Sequence, residues 1–312
     1  MSNFVISLDF EMFWGVADSQ TLDGYKDNVY GEWDVVPKLL SLFEKYEVKA
    51  TWATVGMVMC QDYTQWLDIR SVHEKLPKPP SNYDLGPIVK EYPRLFFAKS
   101  LVQQILDAKE QELATHTFSH FLCNEEVSNK SLFTSDILCA QEVASGFGVQ
   151  LESLVFPRNQ YDYAHISELP KLGIKSFRGN QNHWIYRGGH YVPYGLVGRA
   201  FRLADSWVPI SGSHIHHIES IHQVANVPAS LFLRPWSPKL AKFDNIRFKR
   251  ISSMMNQAVV ADGIFHLWWH PHNFGVNTDG NLNFLEKILI HFSKLRDENG
   301  MKSSPMKDFK CI

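Results

Sequence analysis

The chain has little cysteine and no Cys-x-x-Cys pair: Cys60, Cys123, Cys139 and Cys311 stand apart in 312 residues. That spacing excludes a small disulfide-stapled scaffold and predicts reduced, structural thiols in a reducing compartment. There is no strongly basic segment either. Lys and Arg number 31 against 33 Asp and Glu, a net charge of −2, so nucleic acid is not an expected partner. No stretch reaches the roughly 18 apolar residues that span a bilayer. The N-terminus, Met1 to Asp9, has no basic leader and no small-residue cleavage site, and cleavage there would remove Asp9 and Glu11. A cytoplasmic location is therefore expected. Internal repeats and low-complexity tracts are also absent.

Hydrophobic residues make up 45% of the chain and charged residues 21%, the balance of a soluble globular protein with an extensive core. Short β-rich runs at Phe4–Leu8, Ala50–Val55, Glu112–Thr115, Ser153–Phe156, Ile174–Phe177, Ser230–Leu233 and Ile264–Trp269 read as buried strands. Between them, Val35–Tyr46, Ala98–Lys109, Ser131–Ser145, Tyr161–Leu172, Asp244–Ala261 and Leu282–Arg296 read as helices. Val35, Leu39, Leu42, Phe43 and Tyr46 recur at three and four residues, one apolar stripe. Gly148 and Gly173 stand where helices should stop. The alternation predicts an α/β fold, a distorted (β/α) barrel of about seven parallel strands forming one domain over residues 1–312. Two stretches break the rhythm. Residues 61–93, with Leu76-Pro-Lys-Pro-Pro80, and residues 179–228 read as loop insertions.

The residues that carry chemistry sit just after predicted strands. Asp9 and Glu11 follow the first, His116 and His120 the third, and His270 and His272 the last. In a parallel barrel the C-terminal strand ends converge on one face, so distance along the chain does not oppose proximity in space. The four-residue spacing of His116-Thr-Phe-Ser-His120 puts both imidazoles on one face if the segment forms a helical turn, within reach of one metal ion. Asp9 and Glu11 point to one side of an extended chain, with Phe10 on the other. A carboxylate and two neutral imidazoles leave open positions on an ion for water and a substrate carbonyl.

These motifs resemble those of the polysaccharide deacetylases of the NodB-homology group, carbohydrate esterase family four, nearly end to end from Phe4 to His272. The resemblance implies a divalent metal, most often Zn2+ with Co2+, Ni2+ or Mn2+ as alternatives, and hydrolysis of N- or O-acetyl groups on sugars. Ser7-Leu-Asp-Phe-Glu11 is similar to the family's first motif, with Asp9 as general base and Glu11 as metal ligand. His116 and His120 match its metal-binding histidines. Leu267-Trp-Trp-His270 resembles the late strand that ends in a histidine acid, although His272 shares a face with His270 and competes for that role. Phe156-Pro-Arg-Asn-Gln160 resembles the third motif loosely, making Arg158 the candidate partner that orients Asp9. Asp205-Ser-Trp207 stands where the fourth motif would supply an acid to tune the histidine and a tryptophan to line the pocket. Trp14, Trp207 and His272 are the candidate substrate contacts.

Other readings are narrower. Non-haem iron oxygenases use the same donor set but sit in all-β double sheets. A zincin needs His-Glu-x-x-His, and residue 117 is Thr. Hydrolysis of another C–N bond, such as deformylation or ring-amide opening, and a non-catalytic carbohydrate-binding role are the remaining alternatives. With no export signal, the expected substrate is an acetylated nucleotide sugar or lipid-linked glycan precursor of surface polysaccharide, such as lipopolysaccharide O-antigen.

Overall fold

The computed structural model describes residues 1–72, 85–124, 129–186 and 195–311. Its frame is a curled, mostly parallel sheet with helices packed outside. The strands are β1 (Asn3–Phe10), β2 (Ala50–Thr54), β3 (Glu112–Thr115), β4 (Ser153–Leu154), β5 (Ser176–Phe177), β6 (Glu219–Ile221), β7 (Val224–Asn226), β8 (Leu231–Phe232), β9 (Ile264–Trp269) and β10 (Lys302–Ser303). They are ordered β6-β7-β5-β4-β3-β2-β1-β9-β8, with β10 beside β1; among the described strands β6 and β7 pair antiparallel and the others pair parallel, and His216 adds an isolated antiparallel bridge to Ile264. All seven expected strands are present, and the (β/α)-barrel expectation holds.

β1 is central because it is apolar on both faces: every residue but Asn3 is buried. Phe4, Ile6, Leu8 and Phe10 join the main core under the helices, while Val5 faces inward with Ala53, Ala114, Val155, Val227, Ile264 and Met306. The two-residue period puts Ser7 and then Asp9 above Val5 on the inward face. The lower end is plugged by the C-terminal segment. Met306 N–H donates to Thr51 Oγ1 (2.7 Å), and Lys307 N–H to the buried Glu112 carboxylate (3.1 Å).

The helices are α1 (Leu22–Tyr46), α2 (Tyr63–Val72), α3 (Gly86–Glu91), α4 (Lys99–Asp107), α5 (Lys130–Ser145), α6 (Tyr163–Ile166), α7 (Gly195–Asp205), α8 (Asp244–Val260) and α9 (Thr278–Asn299). No helix among the described residues is long and apolar enough to cross a membrane. Differences from the sequence reading have local causes. α1 begins at Leu22, capped by Thr21, because its polar first half carries no apolar stripe and docks instead on the turn after β9. Residues 61–93 hold α2 and α3 rather than a bare loop, and the Pro-rich stretch Leu76–Pro80 lies outside the described residues. Residues 179–228 hold α7, a short amphipathic helix, and the β6–β7 hairpin of three-residue strands rather than one loop. α6 stops at Ile166, and Pro170 leads a separate 3-10 turn, Leu169–Leu172. Gly148 and Gly173 do take left-handed φ, 73° and 80°.

Parallel strands bring the C-terminal ends of β1, β3, β4, β5, β8 and β9 to one rim. α1 holds that rim from the side. Asn28 Nδ2 donates to His272 O (3.2 Å) and Tyr25 OH to Asn273 Oδ1 (3.1 Å). A Cβ on Gly31 would strike the Gly275 backbone, which cannot swing aside. Gly31→Ala should therefore push α1 off the turn and destabilise the protein by about 1–3 kcal/mol, measured by denaturant unfolding; a neutral effect would mean that the contact is looser than described.

Candidate metal and acid–base site

Glu11, His116 and His120 bring one donor atom each to a common point, all within 4.8 Å of one another. Glu11 Oε2 lies 3.4 Å from His116 Nε2 and 3.4 Å from His120 Nε2. The His116 ring is locked from behind: its Nδ1–H donates to Val155 O (2.8 Å), which leaves Nε2 as a bare lone pair facing Glu11. Glu11 fits only because residue 15 is glycine, since a Cβ there would overlap its carboxyl group. Two imidazole nitrogens and a carboxylate oxygen are the donors a zinc-like divalent ion takes, with further positions left open. Burial alone would raise the Glu11 carboxyl, but His270, His116 and His120 hold it well below the ordinary value.

The paired histidines do not sit on a helical turn. Residues 116–121 form a loop in which Thr117 (φ 63°) and His120 (φ 56°) are left-handed, and these two reversals turn His120 back toward His116. Such backbone needs support. Thr117 Oγ1 accepts from Phe121 N–H (2.7 Å), and the buried Asp136 of α5 accepts from the amides of Phe118 and Ser119 and from the Ser119 hydroxyl. Gly56 lets Phe118 pass at a distance where a Cβ would meet its backbone.

Asp9 is 3% exposed and forms a two-pronged ion pair with Arg178, Nη1 to Oδ1 at 2.6 Å and Nη2 to Oδ2 at 2.8 Å. Burial would raise its carboxyl, and Arg178, with His116 and His270, more than reverses this. Arg178 itself is held by Ser7 Oγ (2.9 Å) and Asn159 Oδ1 (2.9 Å) and lies 4.1 Å over the Trp268 ring. A hydrogen-bond chain runs on behind it. His266 Nδ1–H donates to Val227 O (3.0 Å), so its Nε2 accepts from Ser7 Oγ (2.8 Å), whose lone pair faces Arg178. Burial and the Arg178 charge push His266 down to about 3, the neutral state this chain requires.

His270 Nε2 stands 3.7 Å from Asp9 Oδ2 and 3.6 Å from Glu11 Oε1, with its side chain 23% exposed. His270 Nδ1 lies 3.4 Å from the Asn273 amide, which Tyr25 OH holds at 3.1 Å, and this orients the ring with Nε2 toward the carboxylates. His272 stacks on His270 at 5.0 Å but is 2% exposed. Burial, then the neighbouring His270, push its imidazole down to about 3, so it is neutral at physiological pH and a poor proton donor.

Four expected contacts fall elsewhere. Arg158 does not meet Asp9; left-handed at φ 55°, it pairs with Asp18, and its neighbour Asn159 serves Arg178. Trp14 is core, its Nε1–H bonded to Phe96 O (2.8 Å) and its ring packed on Trp66. Trp207 follows α7 with no described partner in the Asp9–His270 group, and Asp205 binds Tyr186, Ser211 and Arg250 rather than His270. Trp269 is core, whereas Trp268 faces Arg178 and His270. Arg178 and Trp268 were both findable, because each is a side chain at the C-terminal end of a strand.

The chain aligns structurally with a Mycobacterium smegmatis protein classed as a polysaccharide deacetylase at a TM-score of 0.60 and 12% identity, covering 98% of this chain and 88% of that one. The chain has the polysaccharide-deacetylase fold. A similar frame occurs in an allantoinase (TM-score 0.58, 10% identity, 98% of this chain and 88% of that one). It recurs in a GH57-type branching enzyme from Pyrococcus horikoshii (TM-score 0.56, 13% identity, 99% and 69%). No protein-family model and no curated protein sequence matches the chain. At these identities the deacetylase-type fold is what is shared.

Gly15→Ala tests the metal pocket without touching a donor. The expected outcome is a folded protein whose content of divalent metal, by elemental analysis after metal loading and dialysis, falls severalfold below wild type. Metal content equal to wild type would mean that Glu11 does not need the space glycine leaves.

Proposed function

We propose that the chain, acting as one hydrolase domain, is a metal-dependent enzyme that removes an acetyl group from the nitrogen of an acetylated sugar precursor. The observation that carries this reading is the convergence of Glu11, His116 and His120, 3.4 Å apart across the carboxylate, with Asp9 and His270 on its flank. A divalent ion held there, zinc by preference, supplies Lewis acidity toward the acyl carbonyl and lowers the pKa of bound water. Asp9, kept anionic by Arg178, takes the proton of the attacking water as its oxygen bonds to the acyl carbon. In the Pro157–Asn159 turn the Asn159 and Gln160 amides are used locally, which leaves Arg158 N–H as the donor from this stretch for the developing oxyanion. His270, as the imidazolium, then gives its Nε2 proton to the sugar nitrogen as the C–N bond breaks and is left as neutral imidazole, giving acetate and the free amine. His272 serves as its neutral stacking partner.

The reading is tested by metal and acetate together. His116→Ala/His120→Ala protein should lose bound metal and acetate release from N-acetylated sugar phosphates and nucleotide sugars. His270→Gln should keep the metal while kcat falls about 10²–10⁴-fold. Metal retained at wild-type stoichiometry in the double variant would remove the site assignment.

A pH profile isolates Asp9. Arg178→Gln removes the charge that holds the Asp9 carboxyl down, so burial dominates and its pKa rises. The base must be ionised to work, so the acid limb of kcat/KM should move to higher pH in the folded variant. An unmoved limb would mean that Asp9 is not the base.

A further inference from the structure

Helix α7 is amphipathic the wrong way round. Val197, Ala200, Phe201 and Ala204 recur at three and four residues, the spacing of one apolar stripe. All four face solvent, with Val197 61% and Phe201 40% exposed. The polar side turns inward: Asp205 is buried, where it takes Tyr186 OH (2.8 Å) and Ser211 N–H (2.7 Å). A stripe of this kind normally packs on a core, and leaving it in water is unfavourable.

A second exposed apolar group lies where the chain enters α8. Leu240 and Phe243 precede the helix and Ile246, 49% exposed, is in its first turn. Lys239, Lys242 and Lys249 stand among them, all exposed. From Leu233 to Arg250 the single carboxylate is Asp244, which takes Trp236 Nε1–H (2.7 Å). The two groups belong to one side of the molecule. Arg250 of α8 donates to Asp205 O (3.4 Å), at the end of α7, and to Gly212 O (2.7 Å), and Arg234 donates to Ser206 Oγ (2.6 Å). That side is the rim. The chain leaves β8 at Phe232, whose ring is 5.8 Å from His270, and α8 then runs back outside the sheet to β9, so its start is level with the strand ends.

We propose that the exposed stripe of α7 and the Leu240, Phe243 and Ile246 face beside it dock on an anionic lipid surface, which presents the acetylated sugar to the site on a lipid carrier. The carrier rests on the hydrolase reading, whereas the docking does not. Lysines set among apolar side chains suit a lipid surface better than a protein partner. Their stems lie along hydrocarbon while the ammonium groups reach headgroup phosphates, and lysine is depleted where two protein surfaces bury each other. Charge agrees with this. A chain of net charge −2 gains attraction to an anionic leaflet only where its cations are gathered on the approaching face.

Sedimentation of the full-length protein with vesicles reads the docking without any sugar. The probes are vesicles of phosphatidylglycerol and vesicles of phosphatidylcholine. Wild type should bind phosphatidylglycerol more tightly by about ten-fold or more. Val197→Ser/Phe201→Ser should weaken binding to both vesicles by about ten-fold, because the buried apolar area is lost. Lys239→Glu/Lys242→Glu/Lys249→Glu should remove the preference for phosphatidylglycerol. Val260→Ser, at an exposed site on the far end of α8, should change neither. No sedimentation of wild type with phosphatidylglycerol, or binding that the first two variants leave unchanged, overturns the proposal. So does a dimer in solution that Val197→Ser/Phe201→Ser dissociates, which would make a second copy the occupant of the stripe. Vesicle binding in this pattern by a protein that releases no acetate would remove the deacetylase reading and leave the lipid surface standing. Acetate release without vesicle binding would do the reverse.

Discussion

The Asp9–Arg178 pair is the contact on which the rim depends. It joins the central strand to β5, several strands away across the curl, through two hydrogen bonds in a space closed to water. Desolvating two charges costs several kcal/mol per ion, and good geometry alone rarely offsets it. Here the remaining donors of Arg178 are met by Ser7 and Asn159, its face by Trp268, and Ser7 in turn by His266. The result is a polar layer within the barrel between an apolar floor and the open rim. Breaking it from either side would strand a buried charge, so β1 and β5 are held in one register relative to each other.

That layer lets neighbouring groups differ in charge at close range. Asp9 and Glu11 both lie within 3.7 Å of one imidazole nitrogen, yet they are held low by different partners. Arg178 acts on Asp9, and the histidines act on Glu11. His270 and His272 are stacked rings of one type, and solvent access to one and burial of the other separate their roles. The ring orientations are set by carbonyls and amides further out, at Val155 for His116 and through Tyr25 and Asn273 for His270. Each of these partners comes from a different element, so the site exists only when the whole frame is assembled.

The strands were legible because a parallel sheet buried on both faces needs continuous apolar runs, and those runs are visible at Phe4–Leu8 and Ile264–Trp269. Six residues singled out from the chain, Asp9, Glu11, His116, His120, His270 and His272, do come together, since a strand's end and a parallel sheet's direction suffice to gather them. The helical-turn argument for His116 and His120 named residues that meet for a different reason. Thr117 and His120 adopt left-handed backbone that no spacing rule signals, stabilised by Asp136 from a helix sixteen residues on and permitted by Gly56. Arg158 is the candidate because Phe156-Pro-Arg-Asn-Gln160 loosely resembles a family motif, whereas no motif marks Arg178. The strand-end rule applied evenly would have drawn attention to Arg178, which directly follows Ser176–Phe177.

The same frame carries proteins named as a deacetylase, an allantoinase and a branching enzyme at 10–13% identity, so the backbone does not choose the reaction. What it fixes is a rim where strand ends from β1 to β9 deliver side chains to one point, and the choice is made by what they deliver. In this chain β1 and β3 deliver a three-donor set, β5 a fixed cation, and β9 an imidazole whose Nε2 faces the carboxylates. What the rim can do therefore lies in these few strand-end side chains and in the carbonyls and amides that fix their orientation.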